Sequence, residues 1–331
     1  MRGVWVVGVV LALGGCMPRG CADAADAPLV VISGRSEGLV EALFKDAERE
    51  LGFPIQVQYR STPEMVTVAL SEGDQSPADV FFAQESGHLQ ALADAGMLAS
   101  LSTATLDAVD AAFRDPNGAW VGTSGRLRVL VLDDAAVAAD ARPASLRDLA
   151  DPAFLDGFGW APTNGSFQAH VSLLRHAWGE ESTREWLGTI KDAAPRSFPK
   201  NSPIVEAVQG GKLKMGWVNH YYLHQMRNEG SSARNVSFSA DADPGNLMLV
   251  AGVAVREGSP RAERGQQLAA WLVGEAAQAH FASAFEYPTR PGVPVHAGVQ
   301  PLEEVSLYPA SQAALADLEP TRELLRDLGL L

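Results

Sequence analysis

Beyond residue 21 the 331-residue chain contains no cysteine. That absence excludes structural disulfides, cysteine-ligated zinc, iron–sulfur clusters and a thiol nucleophile from any domain built of the later residues. Long apolar runs are missing too. After the first residues, no stretch approaches the roughly 18 consecutive apolar residues that a membrane-spanning helix requires. Basic charge is scarce: 26 Lys and Arg against 40 Asp and Glu leave a formal charge of −14. This is the wrong sign for a nucleic-acid partner, although a negative field mildly attracts cations. Catalytic signatures are also absent: no G-x-S-x-G elbow, no P-loop, no H-E-x-x-H and no spaced histidine cluster. An envelope hydrolase therefore has no constellation to rest on, and the chain reads as a non-enzyme.

What is present begins with an export segment. Arg2 supplies a positive start, and residues 4–13 form an uncharged apolar run, about half the roughly 20 residues needed to span a bilayer. The run ends in Leu13-Gly14-Gly15-Cys16, small residues before a cysteine as in a bacterial lipoprotein cleavage box. Two readings stand: lipidation at Cys16, or ordinary cleavage near Ala22 or Ala25. Residues 1–27 are expected to be a signal and tether outside the fold, with Cys21 in the tether. The protein is then periplasmic or envelope-bound, meeting the membrane only through an N-terminal lipid.

Residues 28–331 suffice for one large or two medium domains. Short β-rich runs alternate with amphipathic ones. Strands are predicted at 29–32, 55–59 and 78–82, with helices at 39–51, 63–72 and 89–95 closed by Gly52, Gly73 and Gly96. This order is the signature of a mostly parallel α/β sheet. Residues 125–133 read as a strand long enough to join two lobes, and 247–255 as the return crossing. Between them the pattern restarts: strands at 157–160 and 214–218, helices at 167–178, 183–191 and 221–228. Helices at 261–273, 275–285 and 311–328 follow. The expected architecture is a two-lobed α/β clamshell on two long hinge strands. Lobe 1 would comprise 28–125 and 252–298, and lobe 2 would comprise 126–251 and 299–331. In such sheets ligands bind beyond the carboxyl ends of the strands, which supplies a filter for site residues.

Several segments pass the filter. Trp217-Val218-Asn219-His220-Tyr221-Tyr222 leaves a strand and opens a helix. Neighbours on a helix are about 100° apart, so both phenols can face one cleft. A hard trivalent cation prefers anionic oxygen, and a phenol qualifies once the metal lowers its pKa from about 10. The plain alternative is that the pair only packs. His220 and His224 lie close by, either as ligands or as hydrogen-bonded neighbours. Ala161-Pro162-Thr163-Asn164-Gly165-Ser166 is a strand end, a turn and a helix start. It is either an anion cradle of free N–H groups or a simple cap made by Asn164 or Ser166. Arg35 and Ser36 follow the first strand, Gln84 and Glu85 the third, and Arg126 sits in the long crossing. Arg35 or Arg126 could pair with an anion bidentately.

Together these segments resemble the periplasmic ferric-ion-binding proteins of bacterial iron ABC importers, the transferrin-like branch of the substrate-binding class. The matching runs are SGRSE (33–37), SPADVFFAQ (76–84), WVGTSGRLRVLV (120–131), GWAPTNGSFQ (159–168), NSPIVEAV (201–208), VNHYYL (218–223), DPGNL (243–247) and FEYP (285–288). They span nearly all of the chain from residue 28, in consistent order. The resemblance implies Tyr221 and Tyr222 as phenolate ligands of Fe³⁺. It implies Asn164, Gly165 and Ser166 as the cradle of a synergistic anion, helped by Asn201 and Asn219, with Arg126 as an anion-binding arginine. It also implies delivery to an ABC transporter permease by a monomer. Two positions depart from the family pattern: Ser36 stands where many members have a histidine ligand, and Gln84 where many have a glutamate. The expected inner shell is therefore two phenolates plus carbonate, bicarbonate or phosphate, with water, Glu85 or Tyr59 as further donors. A rival within the same fold is a binding protein for an oxyanion or phosphonate, the tyrosines then merely packing.

Overall fold

In the computed structural model, which describes residues 27–331, the first three apolar runs form parallel strands. They are β1 (Leu29–Ser33), β2 (Ile55–Tyr59) and β3 (Val80–Ala83), with β1 between the other two. Helices Glu37–Leu51 and Thr62–Glu72 connect them. The first ends at Gly52, whose φ of 75° is a left-handed cap that other residues adopt only with strain. The second starts as its sequence demands, with Ser61 accepting from the Glu64 N–H and proline in the first turn. The expected export segment, with Cys16, lies outside the described residues.

The architecture turns on one strand. After β4 (Leu98–Ala99), β5 (Val121–Asp133) runs for 13 residues, roughly 40 Å at the usual rise. The remaining strands are β6 (Phe158–Trp160), β7 (Arg196–Ser197), β8 (Met215–Asn219), β9 (Ala233–Val236), β10 (Met248–Arg256) and β11 (Tyr287–Pro288). The first half of β5 pairs antiparallel with β10, Val121 opposite Val253 and Leu127 opposite Met248. Its second half pairs with β8 and β9. The strand order β2-β1-β3-β10-β5-β8-β6-β7 thus holds two mixed sheet regions joined through β5. A third connection, unseen in the sequence, is β11, whose Tyr287 and Pro288 pair with Gly125 and Ser124.

Each region has its own core. Leu29, Val31, Phe82, Val253 and Leu268 lie in one; Trp160, Phe167, Trp186, Trp217, Leu324 and Leu325 lie in the other. Gly216 allows close approach in the second, because a Cβ there would sit 2.2 Å from the Ile204 Cγ2. Trp217 is fully buried, edge-on to Phe167 at 5.2 Å and to Trp186 at 6.1 Å. Trp217→Ala is expected to cost about 3–5 kcal/mol, read as a lower urea midpoint for the metal-free protein.

Two helices differ from expectation. The phenol-bearing helix is only Tyr221–Gln225, because Gln209 takes its end: Gln209 Nε2 donates to the Met226 carbonyl at 3.0 Å and Gln209 Oε1 accepts from the Asn228 N–H at 2.7 Å. The C-terminal helix is split into Gln312–Ala316 and Leu318–Asp327. Pro320 has no N–H to give residue 316 and its ring crowds that carbonyl. The Asp317 carbonyl turns instead to Ser172 and Arg175.

Candidate metal centre

Antiparallel pairing places Arg128 of β5 opposite Asn219 of β8. Strand alternation puts Arg126 and Arg128 on one face and Leu127 and Val129 on the other. Both guanidiniums are fully buried. Arg128 Nη1 donates to Asn219 Oδ1 at 2.9 Å, and Asn219 Nδ2 donates to Ser166 Oγ at 3.1 Å. Its guanidinium also lies over the Trp217 ring, 5.0 Å from the centroid. A single chain of contacts thereby joins the long strand, the end of β8 and the start of helix Gly165–Trp178.

One residue beyond the strand partner His220, the phenols project. The Tyr221 and Tyr222 rings lie 4.3 Å apart, tilted by 32°. Tyr221 is buried and Tyr222 half-buried. Burial pushes the Tyr221 phenol well above the ordinary tyrosine range; Tyr222 adds to the rise and Arg126 opposes it. Arg128 is pulled down to about 9 by burial, while charge on Tyr222 and Tyr221 would raise it and Arg126 lowers it. Two cations and two phenols therefore share one field. The cations are positioned to stabilise phenolates, or an added oxyanion, once protons leave.

Several buried polar atoms of the two arginines and of two other sequence candidates have no partner within the protein: Arg126 Nε and Nη1, Arg128 Nε, both side-chain polar atoms of Asn201, and Gln84 Oε1. Buried donors left unmet cost about 1–3 kcal/mol each, so an oxyanion with several acceptor oxygens fits the guanidinium N–H groups of Arg126 and Arg128, while Gln84 Oε1 and Asn201 Oδ1 are acceptors that call for a donor. Arg126 is tied to the first lobe on its other side, with Nη2 donating to the Gln84 carbonyl at 2.5 Å and lying 3.5 Å from Glu85. At the helix start, Asn164 caps by accepting from the Ser166 N–H at 3.0 Å. Gly165 beside it is exposed, with open space where a Cβ would be.

Other sequence candidates lie elsewhere. Arg35 is buried and occupied: it donates to Ser124 Oγ at 3.1 Å and pairs with Glu286. Burial alone would raise the Glu286 carboxyl, but Arg35 and then Arg126 outweigh it and hold the group down. Ser36 is exposed at the cap position of helix Glu37–Leu51 and makes no capping bond. Tyr59 packs on the first core, its phenol raised by burial and then by Glu37 and Glu41. Among the described residues no hydrogen bond or ring contact joins Ser36 or Tyr59 to the phenol pair. His224 stacks on Phe285 at 5.3 Å and is held down to about 4, mainly by burial. Among the described residues no three His, Cys, Asp or Glu side chains converge on a metal position; the carboxylates nearest the phenols and arginines are Glu85, 3.5 Å from Arg126, and Glu286, whose charge reaches Tyr221. Sequence reasoning missed Arg128 and Glu286. The signal for Arg128 was available, since two arginines spaced by two share a face of an otherwise apolar strand. A cavity of about 780 Å³ lies on the other face of β5, against Leu127, Val129 and Tyr287, away from the phenol rings.

The bacterial extracellular solute-binding protein family model matches residues 75–306. The chain belongs to that family. This solute-binding protein is 28% identical over 315 residues to the Fe(3+)-binding periplasmic protein of Serratia marcescens, covering 94% of this chain and 93% of the relative. It is 27% identical over 320 residues to the major ferric iron-binding protein of Neisseria meningitidis, covering 93% and 95%. Among solved structures, iron-bound HitA from Pseudomonas aeruginosa superposes with a TM-score of 0.84 at 30% identity, covering 92% of this chain and 99% of that one. The two-lobed periplasmic-binding-protein architecture expected from the sequence is the one these structures share.

Proposed function

We propose that this solute-binding protein captures ferric iron between its lobes and delivers it to an ABC transporter permease. The carrying observation is the adjoining Tyr221–Tyr222 pair set beside two buried arginines with unmet N–H groups. Tyr221 and Tyr222 coordinate as phenolates. Carbonate, bicarbonate or phosphate fills the space between metal and protein, accepting from Arg126, Asn201 and the Gly165–Ser166 helix start, while Asn219 braces Ser166 and Arg128. No bond of the cargo is broken. Lobe closure, with lobes divided at 28–125 plus 252–298 and 126–251 plus 299–331, couples occupancy to recognition by the permease. Release follows protonation of the phenols, loss of the anion, or reduction to Fe²⁺. The protein acts as a monomer in the periplasm or tethered to the envelope through Cys16.

The test is a visible spectrum of the purified protein, without its export segment, after addition of ferric citrate and bicarbonate. A phenolate-to-iron charge-transfer band is expected, and its absence would sink the reading. The unmet donors of Arg126 and Asn201 also suit an oxyanion or phosphonate cargo. A phosphonate that raises the melting temperature without metal would favour that alternative. Arg126→Leu is expected to weaken ferric retention about tenfold to a hundredfold in bicarbonate, measured by citrate competition. The effect should shrink when bicarbonate is removed.

A further inference from the structure

His220 precedes the phenol pair, and every polar atom of its side chain is engaged. Its main-chain N–H donates to the Leu127 carbonyl at 3.0 Å, and the Leu127 N–H donates back to His220 Nδ1 at 3.1 Å. The imidazole thus replaces a main-chain carbonyl and extends the β5–β8 ladder by one step. Because Nδ1 accepts, the proton sits on Nε2, which donates to the Phe285 carbonyl at 2.7 Å. The ring lies against Tyr287 at 4.6 Å and stands edge-on to Tyr221 at 5.9 Å. Asn235 Nδ2 fixes the His220 carbonyl at 2.7 Å.

The two atoms His220 grips belong to two of the connections that join the lobes. Leu127 lies in β5 between Arg126 and Arg128. Phe285 begins the third connection, just before β11, and its φ of 65° is left-handed, a conformation rare for a bulky residue. Strain of this kind persists only where surrounding contacts hold it, and it collects at working sites. Here the His220 imidazole holds the Phe285 carbonyl, while the Phe285 N–H donates to the Ala282 carbonyl at 2.9 Å and its ring lies against His224 and His296.

We propose that His220 is a positioning residue that sets the phenol pair against the arginine pair and passes hinge movement to the metal ligands. A rigid ring bonded to the long strand on one nitrogen and to the third connection on the other leaves Tyr221 little freedom relative to either. The phenols are then preorganised for the cation, and the ordering of ligands does not have to accompany binding. The inference rests on the ferric reading above.

The test compares His220→Phe, which keeps ring bulk and loses both hydrogen bonds, with His220→Asn and His220→Gln. Asparagine can still accept from the Leu127 N–H, and glutamine can still donate to the Phe285 carbonyl. Leu325→Ala serves as a control destabilised through the second core. For each, the ferric dissociation constant in bicarbonate, the position and intensity of the charge-transfer band and the melting temperature without metal are measured. The phenylalanine variant is expected to bind iron about tenfold or more weakly with a weakened, displaced band, and one of the amide variants to recover part of both. Leu325→Ala should melt earlier yet keep the wild-type band and affinity. The proposal is overturned if all three His220 variants keep the wild-type band and affinity, or if Leu325→Ala loses affinity to the same extent at equal melting temperature. A wild type without any band overturns the ferric reading and this inference together, whereas a wild type with the band and indifferent His220 variants overturns this inference alone.

Discussion

Replacing both Tyr221 and Tyr222 with phenylalanine is expected to lower ferric affinity by about three orders of magnitude or more and to erase the visible band. A ferric ion gains its binding energy from anionic oxygen, and the double variant leaves only an exogenous anion and water. It also leaves Arg126 and Arg128 facing the cation without phenolate charge between, so the field that favoured the metal now opposes it. Stability should move the other way or scarcely at all. The paired rings remain, and the Tyr221 hydroxyl, 4% exposed as a residue and pushed toward its neutral form by burial, gives up only its hydrogen bond with Tyr222. Citrate competition and thermal melting of the metal-free variant separate the two effects. Retained tight binding would show that the pair only packs. A melting temperature lowered by ten degrees would assign the hydroxyls a structural role beyond the one hydrogen bond between them.

The parallel unit β1–β3 was legible because its strands are apolar, short and separated by helices with clear signals at Gly52, Pro63 and Gly73. The long crossing was legible too, though it begins four residues before the expected position, at Val121 rather than Gly125. What could not be read was the third connection. Tyr287–Pro288 is too short to show a period, and the left-handed Phe285 carries a residue type that gives no hint of positive φ. The break at Asp317 was legible in principle from Pro320. The early end at Gln225 was not, because it depends on Gln209, a residue on a neighbouring helix.

At the site, the pairing of Asn219 with Ser166 and the nearness of Arg126 to the phenols follow the expected grouping. The hub of that grouping, Arg128, was passed over because an arginine in an apolar strand reads as a surface position until its partners are known. Arg35 shows the converse. Its place after β1 suggested a cleft residue, but a carboxylate 251 residues away claims it in a buried pair, and no local pattern announces such a partner. Sequence thus pointed to candidate residues on strand ends and turns. It was silent on the long-range bonds that aim them.

Acidification from pH 7 to pH 4 is expected to unfold the metal-free protein. His170 is fully buried against Trp217, and its imidazole is held well below 6.5 by burial and then by Arg128. His220 is held down to about 3 by burial, and His88 is lowered by burial in the first lobe. For these bases the unfolded chain binds protons that the folded chain refuses, so stability is full above about 6.5 and falls as the pH drops below it. From the usual 6.5 down to pH 4, a histidine that stays neutral in the fold forfeits of order 3 kcal/mol. His220, held near 3, therefore costs a large part of the about 5–15 kcal/mol that stabilises a typical domain, and His170, also lowered by burial, acts in the same direction. Glu286 works in the same direction at lower pH. Its folded value is depressed, so its contribution is present above the unfolded carboxylate value and is lost as pH falls through the folded one. Urea midpoints at pH 7, 5.5 and 4.5 should decline steeply, with His170→Gln flattening part of the slope. A midpoint constant across that range would mean that the buried imidazoles accept protons in place, and that the polar contacts made by His170 and His220 are looser than their geometry implies.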